Sequence, residues 1–232
     1  MKVTFVTSKA HLADTIDQWI TPAFPEWFKE LKVTHAEAIE NDRKTARHCP
    51  AFVHLFKNAH LLRAPQDFSL HLNEAEGIVG SRQPNDFKQM SVGAFKFSTQ
   101  MGAEWSNIHS VKCDFNGCFV PEDSITGMFF DPIYHQDSRL KLTTMTGVWP
   151  MHPTLFTHVA VNMMGQSDCF DERGFMHVRK GAPLAYLYWP SGKPIIEPKV
   201  VSQEEYEQDY LYVHEHFQGD FMKREKELAH AV

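Results

Sequence analysis

Val111-Lys112-Cys113-Asp114-Phe115, Asn116-Gly117 and Cys118-Phe119-Val120 form the stretch on which the fold turns. Apolar and polar residues alternate through the first five positions, the two-residue period of a strand with one buried face. Asn and Gly both tolerate positive φ, so the stretch predicts two antiparallel strands joined by a type I′ turn. That hairpin would set Cys113 and Cys118 facing each other.

Working outward, the same period recurs. Val3 to Val6 reads as a strand, as do Phe68, Leu70 and Leu72, and Phe95 and Phe97. Further candidates are Ile125 to Phe130, Leu140 to Thr146, Leu155 to Met163, Gly174 to Arg179 and Leu184 to Trp189. Helical signals lie at the ends. Pro25 can open a short helix carrying Trp27, Phe28 and Leu31, and Pro50 can open another that Asn58 closes. Ser202-Gln203-Glu204-Glu205 reads as a capping box. The following Tyr206, Tyr210, Val213, Phe217, Phe221 and Leu228 share one helical stripe, expected to dock on the protein's own domain. The expected fold class is α+β, with a mainly antiparallel barrel-like or sandwich-like core, short N-terminal helices and a docked C-terminal helix. Residues 1–60 are expected as a helical cap, 61–200 as the β-rich core and 201–232 as the amphipathic helix, one compact domain overall.

Composition narrows the function. The 232 residues carry 23 Lys and Arg against 29 Asp and Glu, a formal net charge of -6. A phosphate backbone is normally met by a concentrated cationic excess, so no nucleic acid partner is expected. No apolar run approaches the length of a membrane span, so no membrane partner is expected. Met1 to Ala10 reads as a strand rather than a signal peptide, and the chain is expected to be intracellular and unprocessed. Four scattered cysteines with no CxxC pair suit buried thiols better than a disulfide framework.

Pro25-Glu26-Trp27-Phe28-Lys29, Cys49-Pro50-Ala51-Phe52 with Phe56-Lys57-Asn58, Lys180-Gly181-Ala182-Pro183-Leu184 and a helix near the end occur in that order. In this order of elements the chain resembles an uncharacterised family encoded by tailed bacteriophages, other viruses and some bacteria. The resemblance implies a viral protein with a binding or virion-assembly role, in the host cytoplasm or the virion, with a protein partner or self-association. The strand Leu184 to Trp189 and the terminal helix are the expected partner surfaces. Phe175 to Leu187 is also similar to the late strands of the dUTPase-like β fold. That chemistry needs an acid near Gly147 to activate water, and this chain has none there, so the similarity implies at most a catalytically inactive nucleotide binder.

The enzymatic alternative rests on histidine, of which there are 14. His135 and Asp137 form an HxD pair that shares a face if it lies on a strand, and His177 lies in a later strand. Together they could make a two-histidine, one-carboxylate triad for Fe(II), with Arg179 holding a carboxylate of 2-oxoglutarate, as in the iron oxygenases. Against this, chance alone gives about two such pairs at this composition, and two occur, the other being His35-Ala36-Glu37. Asp131-Pro132 and Ser138-Arg139 also set the first pair among turn residues. Cys169 beside Asp168 would be a nucleophile only with a histidine in reach. His214 and His216 point to different faces of a helix, and no HExxH, phosphate loop or GxSxG occurs.

Overall fold

The Asn116-Gly117 pair closes no hairpin. In the computed structural model, which describes residues 1–31, 45–73, 78–82, 91–96, 108–135, 141–154 and 158–211, both flanking runs belong to one long bent strand. In chain order the strands are β1 (Lys2–Thr7), β2 (Ile20–Pro22), β3 (Ala59–Arg63), β4 (Phe68–Asn73), β5 (Ile78–Arg82), β6 (Ser91–Lys96) and β7 (His109–Pro121). They continue with β8 (Ile125–Phe130), β9 (Thr143–Thr144), β10 (Gly147–Met151), β11 (His158–Gly165), β12 (Phe175–Val178), β13 (Pro183–Tyr188) and β14 (Ile195–Val200). The helices are short: α1 (Ala10–Asp14), α2 (Ile16–Trp19), α3 (Glu26–Glu30), α4 (Pro50–Lys57) and α5 (Gln203–Glu205), the last running into a π-helical stretch over Tyr206–Leu211.

The protein is α+β. One sheet runs β14-β1-β7-β11-β9 with β6 also on β7, a second runs β10-β8-β13-β3-β2, and a third runs β12-β4-β5. None of the three is a closed barrel. Among the described residues, every pairing is antiparallel except β1 with β14. The first sixty residues supply four of the helices found among the described residues, and also β1, which sits inside the first sheet.

The bend in β7 has a clear cause. On one side β11 pairs along it, with His158 opposite Cys118 and Ala160 opposite Asp114, so two residues of β11 span four of β7. The surplus is a bulge centred on Asn116, whose φ is 49°. A positive φ suits Asn as it would suit a turn, which is why the dipeptide misleads. The bulge lets the other edge of β7 change partner, from β6 over His109 to Asp114 to β1 over Gly117 to Pro121. Its backbone is satisfied locally: Asn116 N–H donates to Asp114 Oδ1 at 2.9 Å, and Thr7 Oγ1 donates to Asn116 O at 2.7 Å. Cys113 joins the main core while Cys118 packs with Val6, Val201 and Tyr206, so the two thiols do not face each other.

The main core holds Val3, Phe5, Val111, Phe115 and Phe119 from the first sheet and Leu62, Ala185, Leu187 and Trp189 from the second region. A separate aromatic cluster lies beneath α3 and α4, where Phe28, Phe56 and Tyr186 are buried and Phe24, Phe52, Tyr134 and Tyr188 pack around them. Pro25 and Asn58 stand at the helix termini expected from sequence. The aromatic strand Leu184 to Trp189, expected as a partner surface, is instead central and covered. β13 lies between β8 and β3, and Leu184, Tyr186 and Trp189 are no more than 1% exposed. Burying three such side chains favours the fold by roughly 1.5–3 kcal/mol each before entropy is counted, and leaves them nothing to offer a partner. The terminal segment docks on its own sheet from its first turns. Ser202 Oγ accepts from Glu205 N–H at 3.0 Å, and Tyr206 is buried against Val6, Cys118 and Val201. The stripe from Val213 to Leu228 lies outside the described residues. Among the described residues, no helix is long and apolar enough to cross a membrane.

Two stability predictions follow from this packing. A Cβ on Gly117 would stand 2.2 Å from the Phe5 ring, so Gly117→Ala is expected to cost about 1–3 kcal/mol in denaturant unfolding, the usual range for overpacking. In the core, Trp189 Nε1–H donates to His60 Nδ1 at 3.0 Å, a bond that requires the neutral ring. Burial lowers the His60 pKa to about 3. The unfolded chain therefore takes up a proton that the folded chain refuses. Stability is fully present above pH ~6.5 and falls as pH drops toward about 3, by on the order of 5 kcal/mol in total. His60→Asn, whose Oδ1 can stand in for Nδ1, should flatten that acid slope in urea titrations taken across the window.

Candidate functional site

On the face of the first sheet opposite the main core, Lys112 and Asp114 of β7 stand beside His158, Ala160 and Asn162 of β11, the register setting Asn162 opposite Lys112. Alternation along β11 puts Val159, Val161 and Met163 into the core and these residues outside it. The chain between β9 and β10 borders this face, and with Phe129 it encloses a cleft of about 370 Å³. Lys112, Asn162, Thr146 and His158 give the cleft polar groups, while Phe129 and Trp149 give it an aromatic wall. Those two rings stack with centroids 5.3 Å apart at 23°. Val148, 64% exposed, stands at the rim.

At the end of the cleft near the C-terminal segment, a chain of hydrogen bonds runs through His158. Its Nδ1 lies 3.2 Å from Asp114 Oδ2, its Nε2 lies 3.2 Å from Tyr206 Oη, and Tyr206 Oη lies 3.8 Å from Cys118 Sγ. The β7 bulge makes this possible, because it brings Asp114 as well as Cys118 alongside a single residue of β11. Burial would raise the Asp114 carboxyl, but the His158 bond and the Asn116 amide hold it below the usual carboxylate range. Burial raises the Tyr206 phenol and pushes the Cys118 thiol up to about 12, so both keep their protons near neutrality. The Asp114 carboxylate can only accept, so Nδ1–H donates to it, and the second ring nitrogen, Nε2, is engaged by the Tyr206 hydroxyl. Both imidazole nitrogens are thereby committed.

The residues singled out from sequence lie elsewhere. His135 follows β8 in a loop, not a strand, and its ring packs on Tyr186 with centroids 5.6 Å apart. Burial first, then the Arg63 guanidinium, lowers its pKa, and a guanidinium is a poor neighbour for a bound cation. His177 is exposed on β12, where its Nδ1 lies 2.8 Å from Ser69 Oγ. Arg179 is exposed just after that strand. Asp137 lies outside the described residues. Among the described residues, no group of three His, Cys, Asp or Glu side chains is placed to hold a metal ion. The Cys169 thiol donates to the Lys141 carbonyl at 3.3 Å and burial raises its pKa, which suits an inert thiol rather than a nucleophile.

Sequence reasoning missed the pairing of Asp114 with His158. The two are 44 positions apart, and only the β7–β11 register brings them together. One signal was available: Lys112 and Asp114 occupy the polar positions of an alternating strand, and so share an outer face. No protein-family model matches the chain, and no curated protein matches it.

The hydrogen-bond chain ties the C-terminal segment to the sheet. Tyr206→Phe is expected to cost about 1 kcal/mol and Asp114→Asn about 1.5–3 kcal/mol, since the latter removes a charged acceptor. In hydrogen exchange, both variants should lose amide protection over residues 203–211. Unchanged protection there would mean that apolar packing alone holds the segment.

Proposed function

We propose that the protein acts by binding rather than by covalent chemistry, as a phage-type binding or assembly component whose recognition surface is the cleft beside His158. The observation that carries this reading is the committed state of the imidazole, whose two nitrogens are taken up by Asp114 and Tyr206. A general base must reach the proton it removes, and the group that faces Nε2 is the buried Tyr206 hydroxyl, whose proton burial holds, rather than an occupant of the cleft. What remains in the cleft is recognition chemistry: a Lys112 ammonium, an Asn162 amide and a Thr146 hydroxyl opposite the stacked Phe129 and Trp149. A few polar groups set against an aromatic wall is the usual composition of a binding site, and about 370 Å³ lies toward the small end of the range for such sites. The fitting occupant has a flat apolar body and a polar or anionic end, either as a small molecule or as a side chain presented by a partner protein.

Ligand-observed NMR with a set of aromatic carboxylic acids tests the reading. Hits are expected to weaken roughly tenfold in Lys112→Glu, the loss of about 1.4 kcal/mol that one charged contact can supply, and to vanish in Ala160→Trp, which fills the cleft. Hits that survive both substitutions would move recognition away from this face. In particles from infected cells, Ala160→Trp should also lower the amount of the protein recovered. An undiminished yield would separate assembly from the cleft.

A further inference from the structure

Away from that cleft, two polar atoms buried in the aromatic cluster are without partners. Tyr186 is 1% exposed, and its hydroxyl has no hydrogen-bond partner among the described residues. His135 Nε2 is likewise buried and unpartnered. The two rings are in contact, yet these groups do not satisfy each other. Leaving a buried donor or acceptor unpaired costs about 1–3 kcal/mol, and native proteins nearly always fill such positions with an ordered molecule.

The chemistry of the position is specific. Burial raises the Tyr186 phenol, which keeps its proton and can donate. Burial and Arg63 keep the His135 ring neutral, against the Ala23 backbone, which favours the charged form. With the single proton of a neutral ring on Nδ1, the buried Nε2 is an acceptor. Arg63 is held by Thr21 Oγ1 at 3.1 Å and the Gly181 carbonyl at 2.8 Å. Asp131 and Glu26 also act on this region, so an anion would meet carboxylates as well as the guanidinium. A metal ion would meet a protonated phenol and a guanidinium. The group that suits one donor and one acceptor is neutral and is both at once.

We propose that Tyr186 Oη and His135 Nε2 flank a buried binding position for a single hydroxyl group, which accepts from the tyrosine and donates to the histidine. That hydroxyl belongs either to a trapped water or to a small alcohol retained by the protein. The aromatic rings of Phe56 and Tyr134, whose centroids lie 6.2 and 6.4 Å from that of Tyr186, give an alcohol an apolar surround.

A crystal structure of the full chain at a resolution that shows ordered water is the test. One peak within roughly 2.7–3.2 Å of both atoms is expected, and either empty density or a direct Oη to Nε2 bond overturns the proposal. Native mass spectrometry separates the two sources: a mass excess retained by the folded chain assigns a ligand, and its absence beside a crystallographic peak assigns water. Tyr186→Phe supplies an independent reading. If the hydroxyl is in use, the folding equilibrium constant should fall about tenfold. If the tyrosine is an orphan, the variant should be at least as stable as the parent, and the proposal fails. Should Tyr186→Phe not fold, His135→Gln, which retains an acceptor, is expected to be about tenfold more stable than His135→Leu. Equal stability of that pair would also overturn the proposal.

Discussion

The contact of Gly117 with the Phe5 ring is the constraint from which most of the architecture follows. A Cβ at that position would stand 2.2 Å from the ring, so only glycine lets β1 lie against β7 with Phe5 seated in the core. The bulge beside it turns β7 enough for one edge to serve two strands in succession, β6 and then β1. A regular strand of 13 residues would hold to one neighbour or leave an edge open. The same surplus of residues opposite β11 brings Asp114 alongside His158. The core packing and the placement of the polar chain thus share a single irregularity.

That irregularity shows where local sequence runs out. Asn-Gly announces a backbone with positive φ, and the structure has it, at 49° for Asn116. A turn and a bulge make the same local demand, and the choice between them belongs to residues far away, here Phe5 and β11. Signals that depend only on neighbours were legible: Pro50 and Asn58 at the ends of α4, the Ser202 cap, and the alternation through Phe68, Leu70 and Leu72. β14 was not, because Pro198 argues against a strand, whereas proline is tolerated at the edge position that β14 occupies. The aromatic run of β13 was legible as a strand but not as a central one. Sequence states that Tyr186 and Trp189 need burial and is silent on whether the cover comes from the same chain.

The candidate site was hidden for a related reason. HxD spacing is a local pattern, and in a chain with this many histidines it arises by chance about as often as it is seen. The arrangement that formed joins residues 114, 158 and 206, three positions that no short motif could link. Its first element could be read only as the polar face of an alternating strand, and the others required the sheet register and the docking of the C-terminal segment.

What faces each imidazole nitrogen gives His60, His158 and His135 different roles. In His60, Nδ1 accepts from a buried tryptophan, and the ring serves as a neutral core residue. In His158, one nitrogen is hydrogen-bonded to Asp114 and the other to Tyr206, which makes the ring a rivet between sheet and C-terminal segment. His135 leaves its buried Nε2 without a partner among the described residues, and its neighbours, a phenol and a guanidinium, decide what can use that lone pair. A metal centre asks for several such lone pairs converging among carboxylates. These three histidines instead stand apart, each fitted to its own hydrogen-bond partners. The same residue type therefore supports packing, docking and a hydroxyl position in one fold, and the group facing each nitrogen determines which.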